Sequence, residues 1–570
     1  MTTDRVQSDR PDASPTAPMR APDQVMRLAR LGAFHQTRLS FMRALLRRIK
    51  RDGWRLDRPV WRIDGTGVGV AVYRAQTDTG RTYSLVCFSH DLDPSLRSDR
   101  VIAEAWDATF TLVDGAPNEA DLKRLAANVP KQEAGRVSEQ ELVLSRANRS
   151  VRLFDHVVAR LAEGRQPERA EIEAVGYLMR TTAVYGNGKF GLADRERTAD
   201  REELSGPFRA EMLAVWLIRA FTCDLAEHLA RARGGERAVA LDPALRRRLG
   251  VGNSTGLGMA PFLVTHPLLL HRWIAAKETA LARVRALSDA DAAAADAFRS
   301  MLDRARLGVD QWTTDDARQQ ARIGGLRADL ARLAEEIETG ALARAHPWDA
   351  LIRWSEEALS LEGQELLASL VIEPHGELVD DLTREMAADE ESVFRIDGRQ
   401  SAGTLRRLIE THYAWALDPD YDDPGACAHF WYVSEEKLEP RLGRRLEEDG
   451  AALEQPLAVG RDVAAAYRAL QTAPQDAPVG QFLIDRPEHR HAVRRVQIAA
   501  RHAYAEIRDN LIGEELLPID LLRCKLSFFG ATRFDPRSDR WVRITMFQDA
   551  PFPHEIADLP ADDWAYPPRL

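Results

Sequence analysis

The sequence predicts a mainly α-helical protein with α+β elements. It would consist of a small N-terminal antiparallel sheet, a large helical core with a long helical hairpin, and a C-terminal mixed α/β region. Two observations predict this class. Apolar residues recur at helical spacing in residues 24–50 and over most of residues 120–410. Between these stretches, and again after residue 420, they form short β-type runs bounded by turn residues.

This pattern divides the 570 residues into four parts. Residues 1–22 are rich in Pro, Ser, Asp and Thr and lack an apolar run, so we expect a disordered tail without a secretory signal. We expect an N-terminal α+β domain over residues 23–120, a helical core domain over 121–410, and a C-terminal mixed α+β region over 411–570.

The N-terminal elements follow from the change of period. Residues 24–50 form an amphipathic pattern that Asp52 and Gly53 end, which predicts one long helix. Short runs of β-branched, aromatic and other apolar residues follow, and these predict strands at 60–63, 68–73, 83–89 and 108–113.

The core and the C-terminal region follow from the same periods. Helices are predicted at 152–161, 208–233, 261–287 and 315–337. The Ala-rich residues 280–345 suit a long helical hairpin that could pack along a bundle or against a second subunit. We expect a homo-oligomer. After residue 420 we expect a strand at 426–433, a helix at 488–510 and a hairpin of strands at 524–529 and 541–548.

Composition excludes several classes of protein. The net charge of −10 argues against nucleic-acid binding, which normally shows a basic domain or stripe. No uncharged apolar run reaches the ~20 residues that span a bilayer, so we expect no membrane span. The four cysteines show no CxxC spacing, which disfavours a zinc ribbon or a disulfide framework and favours the reducing cytoplasm.

The first candidate site is a glycine-dense segment inside the helical region. Three glycines in six residues, at 186–191, would let the backbone approach an anion closely. The segment and its flanks offer Arg180, Tyr185, Asn187, Lys189 and Arg195 as polar and charged groups. Its spacing matches neither a P-loop nor a dinucleotide fingerprint. The alternative is a loop between helices with incidental charge.

The second candidate is the glycine-rich stretch 250–258 before a helix that would begin near Pro261. A glycine-rich loop at a helix N-terminus can bind an anion, and Asn253, Ser254 and Thr255 would add hydrogen bonds. A helix cap is the alternative. Gly252 to Gly256 also match G-x-S-x-G, which leaves open a hydrolase with Ser254 as nucleophile.

The third candidate lies where the predicted strand 426–433 enters a charged loop. Glu435, Lys437 and Arg441 could clamp a substrate, and a lysine flanked by carboxylates can act as general acid or base. A solvated charge run is the alternative. Cys427 and His429 would share one face of the strand, which keeps open a cysteine nucleophile.

Lysine is scarce, since only seven of the 78 basic residues are lysines. Lysine differs from arginine where a compact ammonium or an amine of lowered pKa is needed, so Lys189 and Lys437 are favoured for catalysis. Lys277, on a predicted helix, would be ordinary surface. His266, which precedes Pro267, is the lone histidine best placed for acid/base work.

These observations predict a cytoplasmic metabolic enzyme acting on a small carboxylate or phosphate by general acid/base chemistry, of lyase or isomerase type. Lys189, Lys437, His266 and Tyr185 are its catalytic candidates, and the other polar residues of the three segments would bind the substrate. No cofactor fingerprint is present and none is expected, although a divalent metal stays open. The alternatives are a hydrolase using Ser254 or Cys427, and a non-catalytic ligand-binding or scaffold protein.

Overall fold

The computed structural model describes residues 17–93, 105–131, 138, 140–182, 201–204, 208–255, 267–386, 394–421, 429–433, 438–442, 459–508, 523–531, 533–536, 542–562 and 564–566. The sequence predicted a disordered tail over residues 1–22. In the structure, however, Arg20 is buried, and its guanidinium pairs with Glu278 and Glu365.

A nine-stranded mixed sheet organises the molecule, in the order β1-β2-β3-β4-β5-β6-β7-β11-β10. The main-sheet strands are β1 Arg55–Ile63, β2 Gly69–Gln76, β3 Thr82–Ser89, β4 Ala108–Asp114, β5 Glu141–Arg149, β6 Tyr177–Thr181, β7 Gly250–Thr255, β10 Arg533–Pro536 and β11 Val542–Met546. A separate pair is formed by β8 His429–Val433 and β9 Leu438–Leu442.

This sheet corrects the predicted fold class. The prediction of a mainly helical protein with a small N-terminal sheet is wrong, because the fold is mixed α/β around a half-barrel sheet, although helices make up about 54% of it. The sheet takes strands from β1 to β11, so it crosses the predicted boundaries near residues 120 and 410. The early strands lie at the predicted places, but β5, β6 and β7 carry polar residues and glycines that hid their period.

The helices surround the sheet, and their bounds depart from the predicted ones at several places. They are α1 Pro22–Val25, α2 Leu28–Leu31, α3 Phe41–Arg51, α4 Glu119–Asn128, α5 Phe154–Ala162, α6 Arg169–Val175, α7 Arg209–Gly234, α8 Pro243–Arg248, α9 Pro267–Arg285, α10 Ala292–Asp310, α11 Ala317–Glu338, α12 Pro347–Ala358, α13 Leu361–Leu370, α14 Gly376–Val379, α15 Ala402–His412, α16 Ala414–Leu417, α17 Val459–Gln471, α18 Val479–Asp485 and α19 Arg490–Ala499.

Helix α7 is the centre of the core. Most of its residues are buried, and it packs against strands β2 to β7 on one face of the sheet. That face carries Leu85, Phe110 and Ala147, which join one large apolar cluster with α7. The opposite face carries a smaller apolar cluster under α4, with Val86 and Leu125. The alternation of strand residues between the two faces produces this division.

Three predicted elements differ because tertiary contacts compete with local pattern. The helix expected at 24–50 is divided into α1, α2 and α3, and between α2 and α3 the backbone N–H of Phe34 donates to Glu362 Oε1 at 2.6 Å. The helix expected at 488–510 is shorter, as α19 ends at Ala499. Residues Lys525–Phe529, expected as a strand, form a π-helical turn, and β10 instead pairs with β11.

The expected helical hairpin is present as α10 and α11, which pack on each other. Asp291 and Asp316 cap these helices, each accepting a hydrogen bond from a backbone N–H of the first turn. Within the described ranges, none of these or the other helices is long and apolar enough to cross a membrane.

Candidate functional site

The two glycine-rich segments meet the sheet at neighbouring strands, since the first follows β6 and the second, 250–258, forms β7 and continues beyond it. Among the described strands, β6 and β7 form a parallel pair, with Tyr177 opposite Gly250 and Arg180 opposite Gly252. Their carboxyl ends therefore lie side by side, and the chain continues from them into residues 183–200 and 256–266. In α/β sheets, ligands bind outside the carboxyl ends of parallel strands where the strand order changes.

Five of the predicted site residues lie in strands. Arg180 lies in β6, Asn253, Ser254 and Thr255 lie in β7, and Arg441 lies in β9. The remaining candidates lie outside the described residues, namely Tyr185, Asn187, Lys189, Arg195, His266, Cys427, Glu435 and Lys437. The predicted roles of those residues stay predictions.

Arg180 and Asn253 are brought onto neighbouring strands but point to opposite faces of the sheet. Arg180 shares its face with Asn148, its partner in β5. Asn253 pairs with Ile544 of β11, on the face packed against α7. Its Nδ2 donates to the backbone oxygen of Thr181 at 2.8 Å. Asn253 thus holds β7 to the end of β6.

The glycines of β7 are explained by packing within the sheet. A Cβ at Gly252 would lie 2.7 Å from side-chain carbons of both Arg180 and Tyr177, and one at Gly250 would lie 2.4 Å from the Met546 carbonyl oxygen. Ser254 belongs to the same strand and pairs with Arg543. A nucleophile elbow needs its serine on a turn between strand and helix, so this position does not favour Ser254 as a nucleophile.

The sheet face that carries Arg180 holds a polar cluster in addition to the smaller apolar cluster under α4. We define the polar sheet face as Trp106, Thr109, Arg146, Asn148 and Arg180. Arg146 pairs with Thr109 in β4, and its backbone oxygen accepts from the N–H of the residue that follows β6, at 3.0 Å. Asn148 and Arg180 are fully buried. The cluster therefore lies beside the edge from which the glycine-rich segments depart.

Several donors of the polar sheet face lack acceptors among the described residues. The guanidinium of Arg146 lies 4.5 Å above the Trp106 ring and forms no ion pair there, and burial lowers its pKa. Asn148 Nδ2 and Trp106 Nε1 are buried without a hydrogen-bond partner. Buried donors are normally satisfied, so this surplus suits a ligand rich in acceptor oxygens.

His90 extends the polar sheet face. Its Nε2 lies 3.0 Å from Thr109 Oγ1, and burial lowers the pKa of its imidazole, which favours the neutral ring. His90, Trp106, Arg146 and Asn148 were not among the site residues predicted from the sequence. The sequence did contain a signal for this cluster. Arg146, Asn148 and Arg149 are polar or charged residues inside a run that is otherwise compatible with a buried strand.

A second polar centre surrounds Glu365 of α13, in a later part of the sequence than the polar sheet face. This fully buried carboxylate accepts from Arg20, Arg30 and Lys277, each at 2.7 Å. Lys277 is 6% exposed, so the prediction that it lies on ordinary surface is wrong. Two arginine forks already crowd the carboxylate, and a compact ammonium suits the third place.

His35 adjoins this centre and gives the fold a pH dependence. Its Nδ1 lies 3.0 Å from Ser369 Oγ, and burial, followed by the charge of Lys277, lowers its pKa to about 3. An ordinary histidine of the unfolded chain takes up a proton near pH 6.5, which folded His35 does not. Stability should therefore fall as pH decreases from 6.5, by about 2 kcal/mol at pH 5 from this group.

The measurement is urea-induced unfolding at pH 7 and pH 5. On acidification, the free energy of unfolding of His35→Gln should fall by about 2 kcal/mol less than that of the wild type. His491 is exposed, so the free energy of unfolding of His491→Gln should fall as it does in the wild type. Equal losses in all three proteins would contradict the assignment to His35.

A resident metal has no evident site in the part of the chain that the structure describes, where no group of three or more His, Cys, Asp or Glu side chains could hold one. The prediction that the protein works without a cofactor stays a prediction. No protein-family model matches the chain, and neither a curated protein nor a solved structure is significantly similar to it.

Proposed function

We propose that the chain is a cytoplasmic enzyme acting on a small anionic substrate, at the edge where β6 and β7 end. The observation that carries this proposal is the parallel pairing of β6 with β7. It places the end of β6, which leads into the first glycine-rich segment, next to the end of β7, which leads into Gly256 and Gly258 of the second, beside Arg146. Glycine-rich backbone and a nearby guanidinium are the groups that bind a carboxylate or phosphate.

The donor surplus of the polar sheet face supports an anionic substrate. The half-buried Arg146 would supply charge, and Asn148 Nδ2 and Trp106 Nε1 would supply neutral hydrogen bonds. Partial burial strengthens such contacts, because water competes less for the charge. Donors held in such a partly desolvated site stabilise anionic intermediates of proton transfer, which suits lyase or isomerase chemistry.

The catalytic assignments belong to the proposal as well. Lys189, Tyr185 and His266 would act as general acids or bases from the segments that follow β6 and β7, together with Lys437. Of the binding residues, Arg180 would act from the polar sheet face, while Asn253 would position β7 through its bond to Thr181. The cytoplasmic setting is supported by Cys87 and Cys223, which are buried free thiols.

The expected result of a ligand screen follows from this site. Small mono- and dicarboxylates and phosphate esters are added to the full chain, and thermal stability is measured. A true ligand should raise the unfolding temperature, because it binds only the folded state. Arg146→Gln should weaken its binding about tenfold or more, the effect of losing one charge-assisted bond. Arg62→Gln, an exposed arginine of β1, should bind as the wild type.

Chemistry is tested on the ligand so identified. Incubation in D2O should exchange a carbon-bound proton of the ligand, detected by NMR, because acid/base enzymes of this type abstract such a proton. Lys189→Arg keeps the charge and should preserve binding while slowing exchange. Binding without exchange or turnover would instead favour the non-catalytic ligand-binding alternative. Labelling of Ser254 or Cys427 by a covalent probe, with loss of activity, would favour the hydrolase.

A homo-oligomer and activity without a cofactor complete the proposal, with a divalent metal as the alternative to the second. Sedimentation of the purified chain tests the first, and turnover of the identified ligand after dialysis against a chelator tests the second.

A further inference from the structure

A groove of about 1190 Å³ lies away from the polar sheet face, and none of the residues that line it belongs to β6 or β7. Its walls come from α3, the first residue of α7, the start of α10, and the turn from Pro374 to Arg384. Several of these walls contribute basic side chains, which together we call the basic wall, namely Arg38, Arg47, Arg48, Lys50, Arg51, Arg209 and Arg384.

Part of this basic wall is neutralised within the protein. Arg38 donates to both carboxylate oxygens of Asp380, each at 2.8 Å. Arg47 pairs with Asp562 at 3.0 Å and with Asp380 at 3.4 Å. Lys50 Nζ donates to two backbone oxygens of residues 557 and 559. These residues form the structural part of the wall.

The other part carries surplus positive charge. We define the arginine end as Arg48, Arg51, Arg209 and Arg384. Asp52 pairs with Arg48 at 3.0 Å and with Arg51 at 2.8 Å, so two guanidiniums share one carboxylate. A second acid, Glu202, is exposed, and its carboxylate lies 3.6 Å from Arg48. Within the described ranges, the ion pairs of the arginine end thus set four guanidiniums against the two carboxylates of Asp52 and Glu202.

Arg209 is the unusual member of the arginine end. It is 5% exposed, yet no carboxylate in the described part of the chain pairs with it, and its one hydrogen bond there, to the Glu203 backbone oxygen, is 3.5 Å long. Burial and the charges of Arg48 and Arg51 lower its pKa to about 10. A buried cation without a counter-charge is costly, so its retention beside three other arginines requires an explanation.

We propose that the arginine end is a binding site for a phosphorylated small molecule, held by its phosphomonoester or diphosphate group. A guanidinium presents donors in a planar fork that matches phosphate oxygens, and several forks can share one multiply charged group. The acids Asp289, Asp291 and Glu377 line the groove elsewhere, so the remainder of the ligand would be neutral or basic. This site is separate from the proposed catalytic edge.

The test measures binding of inorganic pyrophosphate and orthophosphate to the full chain by titration calorimetry. Pyrophosphate should bind more tightly than orthophosphate, and its binding should weaken as salt rises. Arg384→Gln should weaken pyrophosphate binding about threefold to tenfold. This arginine is exposed and forms no ion pair within the described residues, so its replacement should leave the fold intact. Arg209→Gln should weaken binding at least tenfold.

Two controls separate this site from others. Arg299→Gln alters an exposed arginine of α10 outside the groove lining and should bind pyrophosphate as the wild type. Arg146→Gln should also leave pyrophosphate binding unchanged, so failure here and failure of the proposed catalytic site are distinguishable. The proposal is overturned if pyrophosphate does not bind, if Arg384→Gln binds it as the wild type, or if Arg299→Gln weakens it equally.

Discussion

Replacement of Glu365 by glutamine is expected to lower the free energy of unfolding by about 3–5 kcal/mol, the range for removing one partner of a buried ion pair. Glu365 is fully buried and accepts from three cationic side chains. These charges hold the pKa of its carboxyl well below the usual range. Glutamine keeps the shape but leaves Arg30 and Lys277 without a carboxylate, and Arg20 with Glu278 alone.

Urea-induced unfolding followed by tryptophan fluorescence measures the change. The matched control is Glu357→Gln, an exposed glutamate of α12, which should change stability by less than about 0.5 kcal/mol. Lys277→Met should lower the free energy of unfolding less in the Glu365→Gln variant than in the wild type, because in that variant Lys277 has already lost its carboxylate partner. A change below 1 kcal/mol for Glu365→Gln would contradict the role given to this carboxylate.

Replacement of Arg219 by methionine is expected to destabilise the fold by about 3 kcal/mol, because buried carbonyls would lose their donor. Arg219 lies in the middle of α7 and is fully buried. Its guanidinium donates to the backbone oxygens of Arg247, Leu249 and Ala550 at 2.6–2.7 Å. It also lies 3.9 Å above the ring of Phe552. One side chain thereby joins the central helix to residues 247–249, which precede β7, and to the C-terminal segment.

The same unfolding measurement tests this prediction, with Arg353→Met as control. Arg353 is an exposed arginine of α12 paired with Asp349 four residues away, and such pairs contribute less than about 0.5 kcal/mol. The stability of Arg219→Lys should lie between the stabilities of Arg219→Met and Arg353→Met, since an ammonium cannot reach three divergent carbonyls as a guanidinium does. Equal stability of Arg219→Met and Arg353→Met would exclude the bridging role.

Local periodicity predicted those elements in which the apolar residues follow a regular strand or helix pattern. Strands β2 to β4 alternate or are continuously apolar, and α7 is apolar with a glycine end, so each lies close to its predicted place. Strand β7 escaped prediction because Gly250 and Gly252 are poor strand formers in isolation. They are suited to it only because a neighbouring carbonyl and the side chains of Tyr177 and Arg180 occupy the space of a Cβ.

Sequence alone determined the positions of many elements, the acidic charge balance and the identity of the glycine-rich segments. Only the tertiary structure decided that these segments start from paired strands, that Lys277 is buried against Glu365, and that Arg180 and Asn253 face opposite sides of the sheet. The reason is physical. Period and propensity act over a few neighbouring residues, whereas strand pairing and buried ion pairs join groups tens to hundreds of residues apart.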